Sequence, residues 1–252
     1  MNDLQRNLEQ IEAAIASACR RAGRKREEIE LMAVSKTYGA EVLSVVARLG
    51  LNLFGENRVQ EWQGKRDAFL GLTAELATRP RVHLIGHLQS NKSARAVEIF
   101  DGVDSVDSLR LAERLNDAAA KLGKRLPVLI EVKLSTEETK AGLAPESNDA
   151  RELLERLPEL ANLKPEGLMM IAPFDVTEAE TRACFRALRK LRDEWAAQHT
   201  KLGWEVLSMG MSGDFELAIE EGATRIRIGT ALFGKRPPLA EQLKQFPEET
   251  ES

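Results

Sequence analysis

The chain has 252 residues, 43% hydrophobic and 30% charged, which allows a sizeable core and excludes a disordered polymer. Its net charge of -4 speaks against a general nucleic-acid binder, and no apolar run reaches membrane-spanning length. Cys19 and Cys184 lie far apart without metal spacing and read as reduced thiols. The opening MNDLQRNLEQ lacks the basic and apolar regions of a secretory signal, so a cytoplasmic protein is expected.

An amphipathic helix is predicted from about Asp3 to Ala22. Leu4, Leu8, Ile11, Ile15 and Ala18 fall at helical spacing, and Gly23 is its stop. Short apolar runs follow at 29–36 (IELMAVSK), 51–56 (LNLFGE), 81–86 (RVHLIG), 102–108 (GVDSVDS) and 126–134 (LPVLIEVKL). Three more lie at 166–172 (EGLMMIA), 204–211 (WEVLSMGM) and 224–234 (TRIRIGTALFG). Amphipathic stretches such as SLRLAERLNDAAAKLG separate them. Near-continuous apolar strands alternating with helices indicate a parallel sheet covered on its outer face. Eight such units are the number that closes a (β/α)8 TIM barrel; a doubly wound open sheet is the alternative. No low-complexity linker interrupts the pattern, so one domain is expected over 1–252, fraying after Pro237.

In a barrel the chemistry belongs at the C-terminal ends of the strands. Lys36 ends the first run, Glu56 and Asn57 the second. His87 follows the third, Ser212 and Gly213 the seventh, and Gly229 and Thr230 the eighth. A lysine is almost never buried unless paired, so Lys36 is either a chain-end charge reaching water or a reactive amine. GMSGD and IGT combine small residues, hydroxyls and helix starts, the features that let a backbone hold a phosphate. Each alone reads as a turn; together, after the last two strands, they read as a phosphate cup. A lysine facing that cup across the mouth suggests a Schiff base with a phosphorylated aldehyde, either a sugar phosphate or pyridoxal 5′-phosphate. Arg227, two residues before Gly229 and on the same strand face, favours the second. A cationic donor there suits the pyridine nitrogen, although Arg227 also reads as an ion-pair partner for a buried carboxylate.

The blocks AVSKTY, FGENRVQE, HLIGHLQSNK, SMGMSGDFELAI and RIRIGTALFG resemble those of the pyridoxal phosphate homeostasis proteins, in order, over roughly residues 5 to 235. That family is similar to the barrel domain of bacterial alanine racemase standing alone. The resemblance implies that Lys36 carries pyridoxal phosphate as a Schiff base, with Arg227 facing the ring nitrogen and Asn57 close to the ring. It implies that Met211, Ser212, Gly229 and Thr230 hold the phosphate. It also implies a carrier or buffer of the cofactor in vitamin B6 and amino-acid balance, without an established reaction, and apo forms of pyridoxal-phosphate enzymes as partners. A monomer with no nucleic-acid or membrane partner is expected. The alternative is a pyridoxal-phosphate-dependent amino-acid racemase. It needs a second base, which alanine racemase takes from a separate domain for which this chain leaves no residues; the only tyrosine is Tyr38.

Two departures stand out. Lys133 occupies a position where the family often has Asn, and the segment before the third strand is longer than usual. Among the remaining residues, His83 reads as packed core and His87 as a structural hydrogen-bonder. Glu56 reads as a cap on the next helix, with orientation of Asn57 or Lys36 as the other role. Met169 and Met170 read as core filling.

Overall fold

The opening amphipathic stretch forms α1 over Asp3–Ala22, burying Ile11, Ile15, Ala18 and Cys19. Gly23 ends it with φ of 65°, and the Arg24 amide reaches back to the Cys19 carbonyl at 2.9 Å, closing the last turn. The computed structural model describes residues 3–134, 142–173 and 175–234.

The strands are β1 (Glu30–Val34), β2 (Leu53–Glu56), β3 (Arg81–Leu84), β4 (Gly102–Val106), β5 (Leu126–Glu131), β6 (Leu163–Met169), β7 (Val206–Ser208) and β8 (Arg225–Ile228). Each pairs in parallel with the next, and β1 pairs with β8 as well as β2, setting Met32 beside Arg227. The ring closes, which rules out the open-sheet alternative. Helices α2 (Ala40–Arg48), α3 (Val59–Leu72), α4 (Ser93–Ile99), α5 (Leu109–Lys121) and α6 (Asn148–Arg156) cover the outside. They are joined there by α7 (Glu178–Gln198), α8 (Phe215–Glu220) and the short α9 (Thr230–Phe233). Helix α1 packs on α8 and α9, with Asn7 Nδ2 donating to the Leu232 carbonyl at 2.9 Å.

Strand alternation splits the core in two. Leu31, Ala33, Phe54 and Ile130 join the apolar shell shared with the helices, whereas Met32, Leu53, Leu129 and Met169 are buried apart from it. These four fill the barrel interior. Below them lies a buried polar cluster. Asp104 pairs with His83 Nδ1 at 2.8 Å and with Arg225 Nη1 at 2.9 Å, and Arg225 also binds Glu30. Burial alone would raise the Asp104 carboxyl, but His83 and Arg225 outweigh it and bring it down to about 2. Gly102 makes room for this pair, since a Cβ there would stand 2.6 Å from the His83 ring. His83 is therefore packed in the interior, as expected, and its ring is hydrogen-bonded to Asp104 there.

The apolar runs overstate most strands. The stretches 29–36 and 204–211 outrun β1 and β7, because there the chain leaves the ladder to build loops. Strand β6 errs the other way, starting at Leu163 rather than 166. Pro165 and Gly167 disguise it, and the register passes from Val128–Pro165 to Leu129–Gly167, leaving Glu166 as a bulge. The tail after Pro237 lies outside the described residues. Among those described, no helix is long and apolar enough to cross a membrane.

Candidate functional site

At the C-terminal ends of the strands the barrel opens into a cavity of about 490 Å³. Lys36 enters it from the loop after β1, Asn57 from the end of β2, Met211 and Ser212 from the loop after β7. Arg227, Gly229 and Thr230 enter from β8 and the start of α9. All seven residues just named thus line one cavity. The expected placement of the lysine across the mouth from the cup needs correction. Strands β1 and β8 are ladder neighbours, so Lys36 stands beside the cup and not opposite it.

The cup has a definite shape. Ser212 Oγ accepts from the amides of Gly229 and Ala231, each at 3.2 Å, so two backbone N–H groups converge on one oxygen. A phosphate oxygen has the chemistry to take that place. The Met211 amide turns instead to Asp214 Oδ1 at 2.6 Å. Burial raises the Asp214 carboxyl above its ordinary range, against the pull of that amide and of Arg227.

Arg227 is buried at the cavity floor and donates to neutral acceptors, Ser208 Oγ at 2.8 Å and the Met170 carbonyl at 2.8 Å. No ion pair with a carboxylate forms among the described residues, so the ion-pair reading is not the arrangement adopted. Burial lowers its pKa, opposed by the more distant charges of Asp104, Glu131 and Asp214. Glu131, at the end of β5, is buried, and its Oε2 has no hydrogen-bond partner among the described residues. Burial, reinforced by Asp107 and only partly offset by Arg227, pushes its carboxyl up to about 7.

Glu56 does not cap a helix. It is fully buried, accepts from Ser35 Oγ and pairs with Lys65 Nζ at 2.8 Å. Burial pushes it up to about 7, with Lys65 opposing and Glu61 reinforcing. His87 is largely exposed beside Asp107 and does not line the cavity, nor does Lys133. Met169 and Met170 are core filling, with the Met170 carbonyl an added acceptor for Arg227.

Several lining residues were not anticipated. Tyr38 stacks on Phe233 at 4.7 Å, and its spacing two residues after Lys36 was the available signal. Ile171, Pro173, Asp175 and Val176 form a rim from the loop after β6, for which no sequence signal exists. Glu131 was legible in principle as a lone carboxylate closing an apolar run, the same pattern that singled out Lys36. Among the described residues no group of acidic, histidine or cysteine side chains could hold a metal.

Residues 7–237 match the family model described as "Alanine racemase, N-terminal domain", which defines a barrel of the alanine racemase type. The chain is 42% identical over 236 residues to a "Pyridoxal phosphate homeostasis protein" of Aquifex aeolicus, covering 94% of this chain and 99% of the relative. A crystal structure of an unknown protein from Bifidobacterium adolescentis superposes with a TM-score of 0.84 at 34% identity, over 92% of this chain and 94% of that one. PipY of Synechococcus elongatus, solved with pyridoxal phosphate bound, superposes with a TM-score of 0.75 at 41% identity, over 87% of this chain and 100% of that one. The chain belongs to the pyridoxal phosphate homeostasis protein family.

Proposed function

We propose that this protein binds pyridoxal 5′-phosphate at the barrel mouth through Lys36 and carries or buffers it for vitamin B6 and amino-acid homeostasis. The observation that carries the reading is the convergence of Lys36, the Ser212-bridged amides and the buried Arg227 on one cavity. PipY, a relative of the same barrel, binds this cofactor. Bound there, the cofactor supplies an aldehyde that condenses with the Lys36 amine, one water leaving as the C=N bond forms. Met211, Ser212, Gly229 and Thr230 hold the phosphate, Asn57 lies near the ring, and Arg227 donates toward the ring nitrogen.

The same arrangement favours a carrier over the racemase alternative. A two-base racemase needs a second proton donor on the face away from the lysine. Tyr38 sits on the same loop as Lys36, and its hydroxyl donates to the Gly234 carbonyl at 3.2 Å. Arg227 stays protonated and cannot support a protonated ring nitrogen, which leaves the ring a weak electron sink. Apo forms of pyridoxal-phosphate enzymes are the recipients.

The test is borohydride reduction of the loaded protein followed by peptide mass spectrometry, with a pyridoxyl group expected on the Lys36 peptide. Main labelling of another lysine refutes the site. Loaded protein mixed with alanine in deuterated water should show negligible α-proton exchange, yet reactivate an apo-enzyme. Exchange near a typical enzyme's ~10 per second refutes the carrier reading.

A further inference from the structure

Lys36 sits on a bend that its neighbours do not favour. The Tyr38 amide donates to the Ser35 carbonyl at 3.2 Å, so residues 35–38 form a β-turn. Thr37, third in that turn, has φ of 74°. Positive φ at this position is the demand of a type II turn, which glycine or asparagine meets readily. A β-branched residue there is a genuine outlier, and the buried Thr37 hydroxyl has no hydrogen-bond partner among the described residues. The turn is not held by its own sequence.

What holds it lies beneath. Lys65, on the buried face of α3, has a side chain only 3% exposed. Its ammonium donates to the carbonyls of Ser35 at 3.1 Å and Tyr38 at 3.0 Å. It also pairs with Glu56 at 2.8 Å and Glu61 at 2.9 Å. Glu61 in turn accepts the Thr37 amide, and Glu56 accepts from Ser35 Oγ. Ser35, Thr37 and Tyr38 are therefore all bonded to one buried charge cluster. Fold stability alone does not account for it. Apolar side chains in place of the whole cluster, Lys65 together with Glu56 and Glu61, would fill such a position as well or better, because a buried ion pair gains little over its apolar isostere.

We propose that Lys65 is a positioning residue for Lys36. Through Glu56, Glu61 and the two carbonyls it clamps the 35–38 turn in the conformation that directs Lys36 into the cavity. The role toward the cofactor rests on the reading of Lys36 given above; the clamp itself does not.

The experiment compares Lys65→Met, Thr37→Gly and the two combined. Pyridoxal phosphate affinity is read from the absorption of the adduct. Hydrogen exchange of the 35–38 segment is read in the cofactor-free protein. Lys65→Met should weaken affinity by at least about tenfold, the population penalty of a non-glycine residue in that backbone region, and speed exchange at Thr37. Adding Thr37→Gly should recover most of the affinity, since glycine adopts positive φ unaided. Wild-type affinity in Lys65→Met, or a loss that Thr37→Gly does not recover, overturns the clamp. If Lys65→Met fails to fold, Glu61→Gln carries the same comparison, because it keeps the shape and weakens the hold on the Thr37 amide. Should the wild type form no adduct at Lys36, the cofactor reading falls, and the exchange rates alone decide the clamp: unchanged exchange in the variant overturns it.

Discussion

Replacing Ser212 and Thr230 together with alanine tests the phosphate cup. Each hydroxyl bond to a charged group contributes about 1.5–3 kcal/mol, so two removed donors cost about 3–6 kcal/mol. The Ser212 share is partly offset. Its hydroxyl now occupies the amides of Gly229 and Ala231 at 3.2 Å and must release them before a phosphate can take them. An ordinary amide bond nets about 1 kcal/mol, and alanine releases both amides in advance. The remainder is about 1–4 kcal/mol, a fall in affinity of at least about fivefold. Thr230→Ala alone should therefore weaken binding more than Ser212→Ala alone. The assay is titration with pyridoxal phosphate and with pyridoxal, followed by absorption. Pyridoxal should bind the wild type poorly and be indifferent to both substitutions. Equal losses for the two aldehydes, or a larger effect from Ser212→Ala, would refute the reasoning.

Arg227→Glu reverses the charge at the cavity floor and strips donors from Ser208 and Met170, so the absorption of the bound cofactor should shift and its affinity fall. An unchanged spectrum and affinity make Arg227 a structural residue. Glu131→Gln addresses pH. The Glu131 carboxyl is raised to about 7 in the folded chain, so the folded state holds a proton that the unfolded state loses at lower pH. Its contribution is therefore intact below the ordinary carboxylate range and is lost as pH rises toward 7, amounting to up to about 3 kcal/mol. The glutamine variant should flatten that slope in denaturant titrations between pH 5 and 8; a parallel slope in both proteins removes Glu131 from the account.

Much of the candidate site is legible in the sequence, because a barrel collects function at one end of its strands. Lys36 ends an apolar run, Asn57 and Ser212 directly follow theirs, and Gly229 follows the alternating start of the last, so once eight runs are counted their position in the chain fixes their end of the barrel. The apolar alternation likewise identifies the strands, since burial on both faces leaves near-continuous Val, Ile, Leu and Met. That information is local, and one strand and its loop carry it.

What the tertiary structure alone decided is who faces whom. Closure of β1 onto β8 puts Lys36 beside the cup, which no single segment specifies. Lys65 reads along α3 as one more lysine of an amphipathic helix, and Glu56 as a cap. Only packing of α3 against the first two strands turns them into a buried pair beneath the turn that carries Lys36. The same holds for Asp104, His83 and Arg225, drawn from three strands into one interior cluster. Apolar patterning reports whether a side chain is buried; which charges share that burial depends on contacts between residues distant in the chain, and these exist only once the barrel has closed.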